Sequence, residues 1–347
     1  MINHNPRPGP PPGIQALILL LLLIALILIA SGLGYIPITA EQVIRVVGAR
    51  VFGLDDLIRE MDKTLPYVVW DVRLPRILTA AAVGMGLALS GTVFQGLLLN
   101  PLADPYTLGV SAGAAFGASV ALVFNLHGLL AVPTAAFLGA GITLAAVIAL
   151  SATDGGIDRH NLILSGVIVA AILSAGLSFM KYLADEKVAA IIFWLMGSFV
   201  SRTWLDVGVT WLVTLFGLAV AVYYARDLNV MALGERSASA LGVQTSRVRL
   251  ILLCTASLVT AVCVSVSGII GFVGLIVPHL MRFFTGPDNR ILVPISALGG
   301  AVLLLAADTV TRVYLPGEIP IGVLTALIGG PVFCYIFRRQ HLGRDND

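Results

Sequence analysis

An all-α, polytopic membrane protein with about ten spans is the fold class this sequence predicts. Three observations lead there. Hydrophobic residues make up 58% of the 347 and charged residues only 12%, with a mean hydropathy of +0.97, a balance that soluble domains of this length do not show. The apolar runs are near-continuous rather than alternating, which argues against a membrane barrel. The runs are also punctuated by proline- and glycine-bearing breaks, above all Asn100-Pro101-Leu102-Ala103-Asp104-Pro105. Two prolines flanking an Asp stop one helix and start the next.

Taken in order, residues 1–14 are Pro-rich and polar and predict a disordered cytoplasmic tail. Ile14–Ala30 is apolar and long enough to span; its small residues Ala30-Ser31-Gly32 would also suit a cleavage site, but the polytopic remainder favours an uncleaved first span. Glu41–Arg50 is amphipathic and reads as a surface helix on the outer side. Leu74–Leu98 and Tyr106–Phe124 are spans joined by the Asn-Pro elbow, and 130–150 and Leu162–Leu183 follow. Val188–Val200 is too short to cross and reads as a half-helix. Trp204–Tyr224, 248–268, a short Gly- and Pro-containing 269–284, 291–308 and 320–337 complete the set. The whole of 15–338 forms one transmembrane domain, with 339–347 as a second tail. Outside the long first loop the arginines concentrate on one side, which places both termini in the cytoplasm.

Chemistry is constrained mostly by absence. The cysteines Cys254, Cys263 and Cys334 lie in apolar runs, and the five histidines do not pair at helical spacing, so neither a metal site nor a catalytic site is expected. No basic patch with interleaved aromatics supports nucleic-acid binding. The only lysines are Lys63, Lys181 and Lys187, none after a glycine, so no phosphate-binding G-x-x-x-x-G-K-[ST] loop exists. Nor does any span carry the run of acids and histidines expected of a proton relay, which weighs against the alternative of an ion-coupled secondary carrier. Energy for transport would have to come from a partner. Asn229–Arg249 is the telling connector: Leu233, Ala240 and Leu241 share one helical face, Glu235 and Arg236 another, and Gly242 is placed to end the helix in the left-handed conformation. Such a helix suits either an interfacial element or a docking element for something cytoplasmic.

Eight pieces of the chain, in order, resemble the membrane subunit of the ABC importers for iron chelates, haem and cobalamin. They are RLPR (73–76), NPLADP (100–105), GVSAGAAFG (109–117), FWLMGSF (193–199), ALGERSASALGV (232–243), GFVGLIVPHLMR (271–282), AADTVTR (306–312) and PIGVLTALIGGPVF (320–333). The resemblance implies the type II ABC importer permease fold in a bacterial or archaeal cytoplasmic membrane. It implies a homodimer with two cytoplasmic ATPase subunits that bind the ATP and Mg, and a periplasmic or lipid-anchored solute-binding protein. It matches the family's coupling helix, about 231–245, to Leu233, Gly234, Glu235, Arg236, Ala238 and Leu241. It matches the arginines that dock the binding protein to Arg73, Arg76 and Arg312, which by position alone could equally be headgroup anchors. The gate maps to Asn100 and Leu102. The fifth span and the half-helix offer Ser174, Ser178, Met180, Phe193, Met196 and Ser198 as path candidates, residue types that serve as packing elsewhere. His279 reads as structural.

Overall fold

The computed structural model describes residues 11–34, 36–59, 61–128, 130–153, 156–314 and 319–342. In chain order come α1 (Pro12–Gly32), α2 (Ala40–Phe52), the short α3 (Thr64–Tyr67), a π-helical turn (Val68–Arg73) and α4 (Leu74–Leu98). Next are α5 (Val110–Val123), α6 (Ala131–Ser151), α7 (Arg159–Leu183), α8 (Val188–Leu195), α9 (Trp204–Tyr223) and the small α10 (Ala225–Met231) and α11 (Glu235–Ala240). The last four are α12 (Thr245–Ser267), α13 (Val273–Thr285), α14 (Asn289–Tyr314) and α15 (Ile321–Leu342). Among the described residues, seven helical stretches are long and apolar enough to cross a membrane, and three shorter apolar helices, Val110–Val123, Val273–Thr285 and Ile321–Tyr335, join them. Together they occupy the ten predicted spans.

The bundle is built around α4, in which every residue from Thr79 to Gln95 is buried. It is wrapped by α9, α12, α13 and α14. Hydrocarbon gives helices no hydrophobic reason to associate, so close packing of small residues must do it. A Cβ added at Gly84 would lie 2.2 Å from the Gly300 carbonyl oxygen of α14, and one at Gly91 only 1.8 Å from that of Gly274 in α13. Backbone rests on backbone at both crossings. By contrast α1 is apolar all round and leaves most of its large side chains uncovered, leaning on α14.

The amphipathic stretch forms as predicted. In α2 the Thr39 N–H donates to Gln42 Oε1 (3.0 Å) while Gln42 N–H donates to Thr39 Oγ1 (3.3 Å), a reciprocal cap. Val43, Val46 and Ala49 are buried beside Val69 and Leu74.

Several boundaries differ from the sequence reading: α14 runs to Tyr314, past 308, and α15 to Leu342, inside the stretch assigned to the second tail. The first helix begins at Pro12, inside the stretch assigned to the tail, because proline at the first helical positions is already in helical φ; residues 1–10 lie outside the described ones. The third span starts at Val110 rather than Tyr106, after Gly109 at φ 75°. The half-helix stops at Leu195, five residues early, and Gly197 at φ 72° turns the chain away. The short eighth span starts at Val273 because Phe272 sits at φ 69°.

Candidate functional site

The two ends of the bundle are told apart by their connections. α9 leads into α10 and α11, and α12 leads back, so Thr203 and Gly268 lie at the far end. The 20 residues of α9 make that about 30 Å at 1.5 Å per residue.

At the connector end, the helix within 231–245 is only Glu235–Ala240. Gly234 enters it at φ 101° and Gly242 leaves it at φ 87°, the latter as the sequence predicted. Ala238 is buried and holds the connector down, whereas Leu233 and Leu241, just outside the helix at either end, are 67% and 66% exposed. Two large apolar side chains therefore project from a polar connector. Arg236 is exposed beside them. Glu235 turns back instead: its carboxylate accepts from Arg249 Nη2 of α12 at 3.1 Å and from Thr245 Oγ1 at 3.4 Å.

A second tie at this end was not found in the sequence. Asn229 of α10 donates from Nδ2 to Asp288 Oδ1 (2.7 Å), and its Oδ1 accepts from Asn289 N–H (2.9 Å) and Asn289 Nδ2 (2.8 Å). The forked Arg290 guanidinium holds the Asp288 carboxyl well below the usual carboxylate range, against the opposing effect of burial. The connector is thus fastened to the start of α14. Asp, Asn and Arg after a Gly-Pro pair are ordinary helix-start residues, so only their shared partner Asn229 marks them out.

The elbow between α4 and α5 is self-braced. Leu99 takes φ 49°, Asn100 Oδ1 accepts from Leu102 N–H at 2.9 Å, and Asp104 Oδ1 accepts from Tyr106 N–H at 2.7 Å. Side-chain acceptors two residues back are how Asn and Asp stabilise turns. Asn100 is half-buried and Leu102 exposed. Tyr106 Oη donates to the Ile270 carbonyl at 2.9 Å, which ties the elbow to the non-helical 268–272.

Three breaks converge farther up. Ser198 N–H donates to the Ser267 carbonyl (2.8 Å) and Gly322 N–H to that of Met196 (3.0 Å), while a Cβ on Gly268 would fall 2.3 Å from the Trp194 oxygen. Irregular backbone at membrane depth is tolerated only where protein buries it or a cavity borders it. Both hold here, since a cavity of about 350 Å³ opens against this cluster. Of the path candidates, Phe193 and Ser198 line that cavity, and Met196 lends its carbonyl to the cluster. Ser174 and Ser178 lie elsewhere, on the uncovered face of α7, with Met180 half-buried on the same helix.

The three arginines do gather at the end opposite the connector, but they do not project from it. Arg73 is 6% exposed; its Nη1 donates to the carbonyls of Ser31 (2.8 Å) and Gly32 (3.0 Å), and its Nη2 to that of Ile36. Arg312 donates to the Ala30 carbonyl at 2.6 Å. The last carbonyls of a helix have no intrahelical donor and carry the negative end of its dipole, so two cations cap α1. Arg76 forks onto Asp308 of α14, with 3.0 Å from Nη2 to Oδ1. In this structure they brace α1, α4 and α14, and where α1 ends decides which way Arg73 and Arg312 turn.

Among the described residues no group of three or more His, Cys, Asp or Glu could hold a metal ion. His279 is buried in α13 against Phe283, its ring 5.2 Å away.

Residues 21–339 match the model of the FecCD transport family. The chain is 44% identical over 280 residues to the cobalamin import system permease protein BtuC of Halobacterium salinarum, covering 81% of this chain and 76% of that one. It is 40% identical to the hemin transport system permease protein HmuU of Yersinia pestis, covering 78% and 84%. A solved metal-chelate type ABC transporter in an inward-facing conformation superposes with a TM-score of 0.82 at 36% identity, covering 93% of this chain and 98% of that one.

Proposed function

The chain belongs to the FecCD transport family, and from that premise we propose that it is the membrane-spanning subunit of an ATP-driven importer for a metal chelate: a ferric siderophore, haem or cobalamin. The observation that carries this is the near full-length likeness to permeases of import systems for cobalamin and for hemin. ATP is hydrolysed by a separate ATPase, and a solute-binding protein delivers the chelate. Both termini face the cytoplasm in this reading.

The geometry supplies a division of labour. Leu233 and Leu241, exposed on a connector that Ala238 and Glu235 anchor, form a surface for the ATPase. Motion there has two rigid exits: through the Glu235–Arg249 pair into α12, and through Asn229 into α14. The binding protein docks at the opposite end, over the arginines Arg73, Arg76 and Arg312. Direct ion pairing with any of them exchanges an internal bond for an external one, so docking and loosening of α1 are linked. The Asn100–Pro105 elbow, tied to 268–272 by Tyr106, is the gate, with Leu102 the apolar side chain that moves. The uncovered face of α7 receives a second copy of the chain, so that Ser174 and Ser178 border a path on the dimer axis.

The test is uptake into proteoliposomes that hold this chain with its ATPase and binding protein, offered a ferric siderophore, haem and cobalamin in turn. Uptake of one ligand that needs both ATP and the binding protein is expected. Uptake that persists without the ATPase overturns the reading in favour of an ion-coupled carrier. Asn229→Ala is expected to leave ATP hydrolysis running while uptake falls several-fold, because the ATPase surface survives and one exit from it is cut.

A further inference from the structure

The cavity beside the cluster of breaks holds a cation that neither the packing nor the proposed path uses. Arg202 is the only cation, and Asp206 the only anion, among the described residues lining it. Three features fix the arginine. Ser201 before it is forced to φ 58°, a strained value for a residue with a side chain. Nε donates to the Val200 carbonyl at 3.1 Å, and Nη1 donates to the Val266 carbonyl in the last turn of α12. Nη2 makes no hydrogen bond among the described residues. Asp206 acts on it only through space: its Oδ2 accepts from both Thr203 N–H and Thr203 Oγ1 at 2.8 Å, so it caps α9 and makes no hydrogen-bonded ion pair with Arg202.

Nε and Nη1 lie on different edges of the guanidinium, so their two bonds fix its plane and leave Nη2 as the donor with no hydrogen bond among the described residues. An oxyanion can accept from such a donor, and the bond is charge-assisted. Phe193 and Trp194 supply apolar wall beside it and Ser198 a hydroxyl oxygen. We infer that this cavity is a binding subsite for a carboxylate or comparable oxyanion carried by a solute, with Arg202 as the residue that recognises it. A solute rather than a lipid headgroup is the occupant because the cavity is lined by Phe193 and Ser198, two of the path candidates; the inference rests on the import reading to that extent.

Citrate is the probe, titrated calorimetrically into the full-length protein in phosphatidylcholine nanodiscs, with neither ATPase nor ATP present. A saturable site is expected, at least tenfold weaker in Arg202→Gln and intermediate in Arg202→Lys, which keeps the charge and loses the fixed guanidinium plane. Phe193→Glu, at an exposed position that does not hold the fold together, sets a carboxylate at the mouth and is also expected to weaken citrate at least tenfold. Absence of saturable binding, or unchanged binding in Arg202→Gln or Phe193→Glu, overturns the subsite. Adding phosphatidylglycerol to the nanodisc is expected to leave citrate binding as it was; abolition of binding assigns the cavity to a headgroup and overturns a solute site. Since the titration does not involve transport, a failed uptake assay and a failed titration point to different errors.

Discussion

Helices α4 and α7 are both 25 residues long, yet they live in opposite surroundings. The span that contains α4 has the lower mean hydropathy, 1.8 against 2.3 for α7, but 94% of its most apolar stretch is buried, against 17% for α7. Hydropathy says that a helix belongs in a membrane, not that it belongs in the middle of the protein. Small residues say that. In α4 they let α13 and α14 touch its backbone, whereas α7 displays Ile172, Phe179 and Tyr182 at 65%, 56% and 82% exposure. A core helix here is one that other helices can approach, and an outer helix is one that a lipid or a second subunit can wet.

The sharpest way to break the contrast is to exchange the side-chain sizes. Gly91→Leu drives a side chain into the Gly274 backbone and is expected to abolish a monodisperse peak in size-exclusion chromatography. Overpacking commonly costs about 1–3 kcal/mol, and more where the obstacle is main chain. Ala175→Leu on the exposed face of α7 is expected to leave the peak intact. If both variants behave alike, crossing geometry is not what separates the two helices.

Next in size is the charge that α4 shares with α14. Asp308→Asn strands the Arg76 guanidinium, and losing one member of a buried pair costs about 3–5 kcal/mol; a lower midpoint in thermal unfolding is the readout. The double variant Arg76→Met with Asp308→Leu is expected to recover most of that loss, since two apolar groups need no partner. Arg73→Leu takes a donor from the Ser31, Gly32 and Ile36 carbonyls, an expected loss of about 1–3 kcal/mol. Protease cleavage after α1 should quicken accordingly. On α7 the smallest effect is foreseen: Ile172→Ser and Tyr182→Ser should each move the unfolding midpoint by no more than about 0.5 kcal/mol allows, while native mass measurements show more monomer. An unchanged mass would remove the second copy from that face.

Much of the fold was legible because membrane helices announce themselves by continuous apolar runs and by the prolines that stop them. Gly242 was legible as a helix stop for the same local reason. The ends of broken helices were not: α8 stops at Leu195 and α13 starts only after Phe272 because carbonyls distant in sequence meet there, and Gly197 beside the first break reads like any other glycine of this chain. The connector helix was found, but its fastening was not, since Asn229 meets Asp288 and Asn289 across 59 and 60 residues. Arginine at a span end reads the same whether it snorkels, docks or braces. For Arg73 and Arg312 the deciding fact is that α1 ends within reach of both. Arg202 was invisible for a simpler reason: an arginine followed by a helix-capping threonine is commonplace, and only the cavity gives it meaning.

The capped end of α1 also imposes an order of events on synthesis. Ribosomes deliver this chain from the N-terminus, so the carbonyls at Ser31 and Gly32 meet Arg73 after only 42 and 41 more residues, but Ala30 waits another 282 for Arg312. The earliest of the described helices is therefore fastened by the last but one. A truncated or stalled chain would carry its opening helix half-secured, lightly held and open to membrane quality-control proteases, until the clasp from α14 arrives.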